Sequence, residues 1–232
     1  MLILGSTMAR MFTKIKVKAL RWLLNDYVNA HLASREWHEE QFDYITDTGL
    51  AKRLSEEFMS ARHIYKMLRA IEAEDWLQRA QVRVQVLMYA SIYEAALHHV
   101  LFDQNATAPE VIQLTQRNTL KKISIPENSL KELHKHLEHD GREIIPSYHA
   151  VVPSDITKVR FDAKANCAFN LGIIDNDLRD DLIEIYAARN AIHIHAEIRK
   201  SQKYELNLAK KSYRRMKPFA EQLRTYCNAI NT

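Results

Sequence analysis

Glycine and proline are scarce, with four and five among 232 residues. Tight turns and hairpins draw on those residues, so a chain with so few of them is built from long helices. Cysteine is scarcer still. Cys167 and Cys227 stand sixty residues apart with no CxxC spacing, which suggests neither a disulfide framework nor a thiolate zinc site and fits a reducing cytoplasm. No apolar run approaches the roughly 18 residues needed to cross a bilayer. The opening MLILGSTMARMF places its apolar run before its first basic residue, the reverse of a secretory signal. A soluble protein without a membrane span is expected. No Walker loop, GxGxxG or GxSxG occurs, so nucleotide hydrolysis, dinucleotide chemistry and α/β-hydrolase catalysis have no anchor. Net charge is only +4, too little by itself to argue for nucleic acid, so its distribution carries the information.

What is present is hydrophobic content of 47%, enough for one core in a single unit over 1–232. Between Arg10 and His31, Phe12, Ile15, Ala19, Leu20, Leu23, Leu24 and Tyr27 recur at helical spacing, with Arg10, Lys14, Lys18 and Arg21 on another face. That helix either packs by one side with a solvated basic face or rests on an acidic surface, membrane or RNA. A second helix is expected from about Ser55 to Glu74, completing an N-terminal helical region over 10–74. The core helix follows over 75–104, carrying VQVLMYASIYEAALHHVLF. Residues 117–160 change character, with ISIP, REIIPSYHAVVP and ITKVRF, and read as an insertion with one helix, about Asn128 to His139, and one or two short strands. Helices return over 161–231: a short one from Phe161, a break at Gly172 to Asp175, a helix opened by acidic residues, and a last one from about Lys203 to Ile230. The fold class expected is mainly α, a helical bundle with a small strand-bearing insertion.

The stretch EIYAARNAIHIHAEIRK, 184–200, gathers Arg189, Asn190, His193 and His195 on what otherwise reads as one amphipathic helix. Residues four apart share a helix face and residues six apart do not, so Arg189 can act with His193, and with His195 only if the helix ends there. RNA cleaves itself when a base takes the 2′-hydroxyl proton and a cation steadies the charge on the phosphorane. Histidine titrates in the right range for the proton, and guanidinium is a permanent forked clamp for phosphate. No metal or cofactor is required. The competing reading makes His193 and His195 cationic caps at a helix C-terminus, with Arg189 paired to Glu184, Glu197 or Asp181.

DNDLRDDLIEIYAARNAIHIH resembles the signature of the HEPN superfamily (higher eukaryotes and prokaryotes nucleotide-binding), whose ribonuclease members carry Arg, four to six residues and His near a helix end, often with a polar residue after the Arg. Arg189, five residues and His195 match, and Asn190 fills the polar position; His193 lies too close and stands as an alternate. ASIYEAALHHVLF is similar to the family's earlier long helix bearing a glutamate, here Glu94. The resemblance covers about 100 of the 232 residues. It implies a HEPN-like bundle and a metal-independent endoribonuclease acting on RNA. It further implies a homodimer with two copies of Arg189 and His195 in one cleft, and membership of a toxin–antitoxin pair or an antiviral defence system, with an antitoxin or sensor as partner. The tyrosine that one branch carries three residues past the histidine is here Ile198, so regulation through that tyrosine is not supported. A non-catalytic RNA-binding or assembly module is the alternative.

Past the motif, Lys203, Lys210, Arg214 and Lys217 share one helical stripe on the expected last helix, either an RNA-backbone track or a solvated face. Tyr204 and Tyr213 are stacking candidates or core. Glu94, inside an apolar stretch, either orients Arg189 or is an ordinary interhelical hydrogen-bonding residue. HKHLEHD, with His134, His136 and His139, has no ligand spacing that matches a known metal motif.

Overall fold

The computed structural model describes residues 2–137, 139–142 and 144–230, with side chains from Ile15 onward. Helices dominate: α1 (Leu2–His31), α2 (Arg35–Glu40), α3 (Thr48–Ala70), α4 (Asp75–His99), α5 (Pro109–Leu114), α6 (Glu127–His136), α7 (Phe161–Asn170), α8 (Asn176–Asn190), α9 (Ile194–Lys200), α10 (Leu206–Arg214) and α11 (Met216–Ile230). The described strands are β1 (Gln116–Lys122) and β2 (Ser147–Pro153), antiparallel in one sheet with Gln116 opposite Pro153 and Lys122 opposite Ser147. Together with α6 they make the expected insertion, and both strands are largely exposed.

Apolar residues encircle much of α4, which is why it lies at the centre. Val82, Val86, Tyr89, Ile92, Tyr93, Ala96 and Leu97 are buried, and α3, α7, α8 and α10 pack around them. Phe42, Phe58, Leu178, Leu182, Phe219 and Leu223 complete the same core. The Tyr93 hydroxyl satisfies itself inside the core by donating 2.5 Å to the Ser212 carbonyl. A π-helical turn, Val100–Gln104, extends α4.

Local signals set several boundaries. Asp47 and Asp175 cap α3 and α8 by accepting from the amides of Leu50 and Leu178 at 3.0 and 2.7 Å. Gly172 takes φ +72° at the end of α7. There the Ile173 amide bonds the Ala168 carbonyl at 2.8 Å and the Gly172 amide bonds Phe169 at 2.9 Å, the paired closure that wants glycine in the left-handed conformation.

Two expectations about the chain's ends change. Over the part of α1 with described side chains, Ile15–His31, Val28 is buried and Leu24 and Tyr27 are half-buried, while Ile15, Leu20 and Leu23 are exposed. Between Ile15 and Leu23 the apolar face is therefore uncovered; Lys18 and Arg21 are exposed, and the side chains of Arg10, Phe12 and Lys14 lie outside the described residues. The single last helix is two, α10 and α11, meeting at Arg215. Pro218 has no amide hydrogen for the Arg214 carbonyl and its ring crowds that group, which breaks the helix one turn upstream. No described helix is long and apolar enough to cross a membrane.

Candidate functional site

The segment read as one helix is interrupted inside the motif. α8 stops at Asn190, residues 191–193 form a junction with His193 in extended conformation, and α9 starts at Ile194. Neither glycine nor proline stands there, and the stop is imposed from outside. The last carbonyls of a helix lack intrahelical donors. Here the Tyr204 hydroxyl donates to the Ala188 carbonyl at 2.8 Å and the Arg83 guanidinium donates to the Ile192 carbonyl. Beyond the junction, Glu197 is buried at 5% exposure and ion-paired with both Arg79 and Arg83 of α4. Arg83 also lies over the Tyr204 ring, 5.7 Å from its centroid. α9 is thereby clamped to α4.

Arg189 sits in the last turn of α8, half-buried, its guanidinium 5.2 Å from the Tyr186 ring centroid and 2.9 Å from the Asn190 side-chain oxygen, to which it donates. It has no carboxylate partner among the described residues. The three acids expected to take it are engaged elsewhere: Glu197 with Arg79 and Arg83, Asp181 with Lys211 and Arg215, Glu184 with Lys211. The histidine part of the competing reading finds no bond to carry it: His195 lies in the first turn of α9, and His193, three residues past the end of α8, makes no ring hydrogen bond to that helix's last carbonyls among the described residues. Both histidines are exposed, and neither ring makes a hydrogen bond, ion pair or ring contact among the described residues. Arg189 and His195 of one chain thus stand on opposite sides of the junction without touching.

Glu94 does not bond Arg189. Half-buried on α4, it accepts from the Tyr186 hydroxyl at 2.8 Å and from the Lys164 ammonium at 3.3 Å. Phe161 stacks on Tyr186 with centroids 4.2 Å apart and planes at 11°. Burial, reinforced by the bond to Glu94, pushes the Tyr186 phenol up to about 12. The contact between Glu94 and Arg189 therefore runs through a fixed tyrosine, and Lys164, 2% exposed, neutralises the carboxylate from the other side. Glu94, Arg160, Tyr186, Asn190 and Lys200 line an open cleft of about 400 Å³ beside the junction. Sequence reading missed Tyr186 and Lys164; Tyr186, one turn before Arg189, was the available signal.

The basic stripe is dispersed. Lys203 lies in the 201–205 loop, Lys217 pairs with Glu221 at 3.6 Å on α11, and Lys210 and Arg214 line a second cleft against α3. Pro218 was the legible warning that the stripe would break. Tyr204 is buried, and Tyr213, 37% exposed, lies under Arg62 with 4.7 Å from guanidinium carbon to ring centroid.

A third polar group was not anticipated. His99, buried as the last residue of α4, bonds Asp103 through Nδ1 at 2.7 Å, while its Nε2 meets the Thr46 hydroxyl at 3.1 Å and the Gln104 amide nitrogen at 3.2 Å. The amide nitrogen has only hydrogens to offer, so Nε2 accepts and Nδ1 carries the proton to Asp103. With its acceptor nitrogen already taken by Gln104, His99 ties the 41–47 loop to α4 and acts as a brace. No family model, curated protein or solved structure matches this chain.

Proposed function

We propose that the chain is a metal-independent endoribonuclease that works as a cytoplasmic homodimer. The observation that carries this reading is Arg189, a guanidinium at a helix end without a carboxylate partner among the described residues, with His195 exposed across a three-residue junction. In the reaction one histidine takes the 2′-hydroxyl proton, the 2′-oxygen attacks phosphorus, and Arg189 steadies the charge on the phosphorane. The 5′-oxygen leaves with a proton from an acid, giving 2′,3′-cyclic phosphate and 5′-hydroxyl ends. His195 is assigned to proton transfer, with His193 as alternate. Asn190 holds the Arg189 fork, and Glu94 positions it through Tyr186.

Arg189 and His195 within one chain do not touch, so the pair is completed by a second copy across a two-fold axis. Ile194 and Ile198, 68% and 72% exposed one turn apart on α9, offer apolar surface for that contact. RNA would be held by Lys203, Lys210, Arg214 and Lys217 from three separate elements rather than one stripe. A role as toxin or antiviral effector, with an antitoxin or sensor partner, follows from the HEPN resemblance alone.

The same two isoleucines favour a second reading, a non-catalytic HEPN-like RNA-binding or assembly module. Total cellular RNA incubated in EDTA with wild type, Arg189→Ala, His195→Ala and His193→Ala separates the two. Cyclic-phosphate ends from wild type that fall by about 100-fold or more in Arg189→Ala and His195→Ala, with fold and dimer intact, support the nuclease. No cleavage by freshly purified wild-type dimer, or cleavage indifferent to both residues, transfers the assignment to the module.

A further inference from the structure

The cleft between α3 and α10 collects four cations and no carboxylate. Arg62 and Lys66 line it from α3, Lys210 and Arg214 from α10, around a space of about 270 Å³ walled by Tyr65, Tyr89 and Tyr213. None of the four makes an ion pair or hydrogen bond among the described residues. The side of α10 turned to α8 is the internal control: Lys211 and, at the helix's C-cap, Arg215, one residue along from Lys210 and Arg214, are neutralised by Asp181 and Glu184. Each helix therefore keeps two like charges one turn apart, an arrangement that destabilises a helix unless something offsets it. Lys66 registers the crowding, since burial, followed by repulsion from Arg62 and Arg69, holds its ammonium below the usual lysine range.

An anion in the cleft removes that repulsion. Two guanidiniums offer forked donors that fit phosphate oxygens, and two ammonium groups add point charges. A phosphodiester brings one negative charge, whereas a phosphomonoester brings close to two at neutral pH, the better match to four cations. The tyrosine walls suit a ring-bearing body attached to that phosphate. We propose that the α3–α10 cleft binds a nucleotide phosphomonoester, supplied either as a free mononucleotide or as the phosphorylated end of an RNA strand. For Lys210 and Arg214 this narrows the general RNA-contact reading to one phosphate. It rests on the cleft alone, so a failure to cleave RNA would leave it standing, and a failure to bind these probes would leave the nuclease reading standing.

The test is calorimetric titration of the full chain with adenosine 5′-monophosphate, adenosine, and a short 2′-O-methyl RNA bearing either a 5′-phosphate or a 5′-hydroxyl. The monophosphate is expected to bind at least about tenfold more tightly than adenosine, with affinity that weakens as salt rises. Lys210→Gln and Arg214→Gln each lower that affinity by about tenfold with a melting temperature that stays level or rises slightly as the repulsion is relieved, and Lys210→Arg retains the affinity. If the 5′-phosphorylated RNA binds as well as the free nucleotide and the 5′-hydroxyl RNA does not, the source is a strand end. If only the free nucleotide binds, the source is a small molecule. Equal binding of adenosine and its monophosphate, no binding of any phosphorylated probe, or binding untouched in both glutamine variants overturns the proposal.

Discussion

The hydroxyl of Tyr204 reaches back 2.8 Å to the carbonyl of Ala188, sixteen residues earlier, and closes the end of α8 at the motif. Removing that hydroxyl while keeping the ring isolates the cap. Tyr204→Phe is expected to cost about 1 kcal/mol by chemical denaturation, the net worth of one hydrogen bond, since the Ala188 carbonyl keeps the Ala191 amide at 3.0 Å. Hydrogen exchange should rise first in the last turn of α8. Unchanged exchange there would show that Arg83 alone ends the helix.

Glu197 fixes the helix on the other side of the junction. Glu197→Ala leaves Arg83 facing a half-buried space without its counter-charge, and is expected to cost about 2–3 kcal/mol, below the full range for a buried pair because Arg79 is largely exposed. Urea unfolding with an unchanged slope checks the value. If the nuclease reading holds, cleavage should fall along with stability even at temperatures where the variant is folded, because α9 carries His195.

Alkaline pH probes the link between Glu94 and Arg189. The Tyr186 phenol is raised by burial and by its bond to Glu94 to about 12, against an unfolded value near 10. The folded state therefore holds this proton more tightly than the unfolded chain. The stability it contributes is complete below about pH 10 and is lost as pH climbs from there through about 12. Ultraviolet titration should show a late-ionising phenol that disappears in Tyr186→Phe, together with a shallower alkaline loss of stability. Buried Tyr93 is raised as well and supplies the internal comparison. An identical titration curve for wild type and Tyr186→Phe would count against the fixed tyrosine.

Ser201 closes α9 in the left-handed conformation at φ 49°. The Gln202 amide bonds the Glu197 carbonyl at 3.0 Å, the closure that Gly172 makes at the end of α7 without a side-chain penalty. Ser201→Gly is expected to raise stability by about 0.5–1 kcal/mol, read as a higher urea midpoint with the slope preserved. A lower midpoint would mean that freedom gained by the unfolded chain outweighs the strain relieved.

Much of the architecture was legible because its causes are local. The scarcity of glycine and proline forced a mainly helical chain, the apolar density of 75–104 put α4 at the centre, and the β-branched, proline-bearing 117–160 segment formed the two-stranded insertion. The α7–α8 break was readable from Gly172 and Asp175, which act on their own backbone neighbours. The break at Arg215 was readable too, from Pro218, but the apolar periodicity that continues through both helices masked it.

The candidate site divides along the same line. Residue types and spacing in 184–200 nominate Arg189, Asn190, His193 and His195, because those are properties of the covalent chain. Whether they share one helix was not decided there, since Ala191, Ile192 and His193 contain no breaker. That decision came from groups distant in sequence: Arg83 at the Ile192 carbonyl, Tyr204 at the Ala188 carbonyl, and Glu197 drawn between Arg79 and Arg83. The placement of Lys210 and Arg214 opposite Arg62 and Lys66 is likewise tertiary. Sequence determined which side chains with charge or a titratable ring this protein owns and how much helix carries them. Tertiary packing decided which of them meet, because hydrogen-bond caps and ion pairs act through space between residues that the chain keeps far apart.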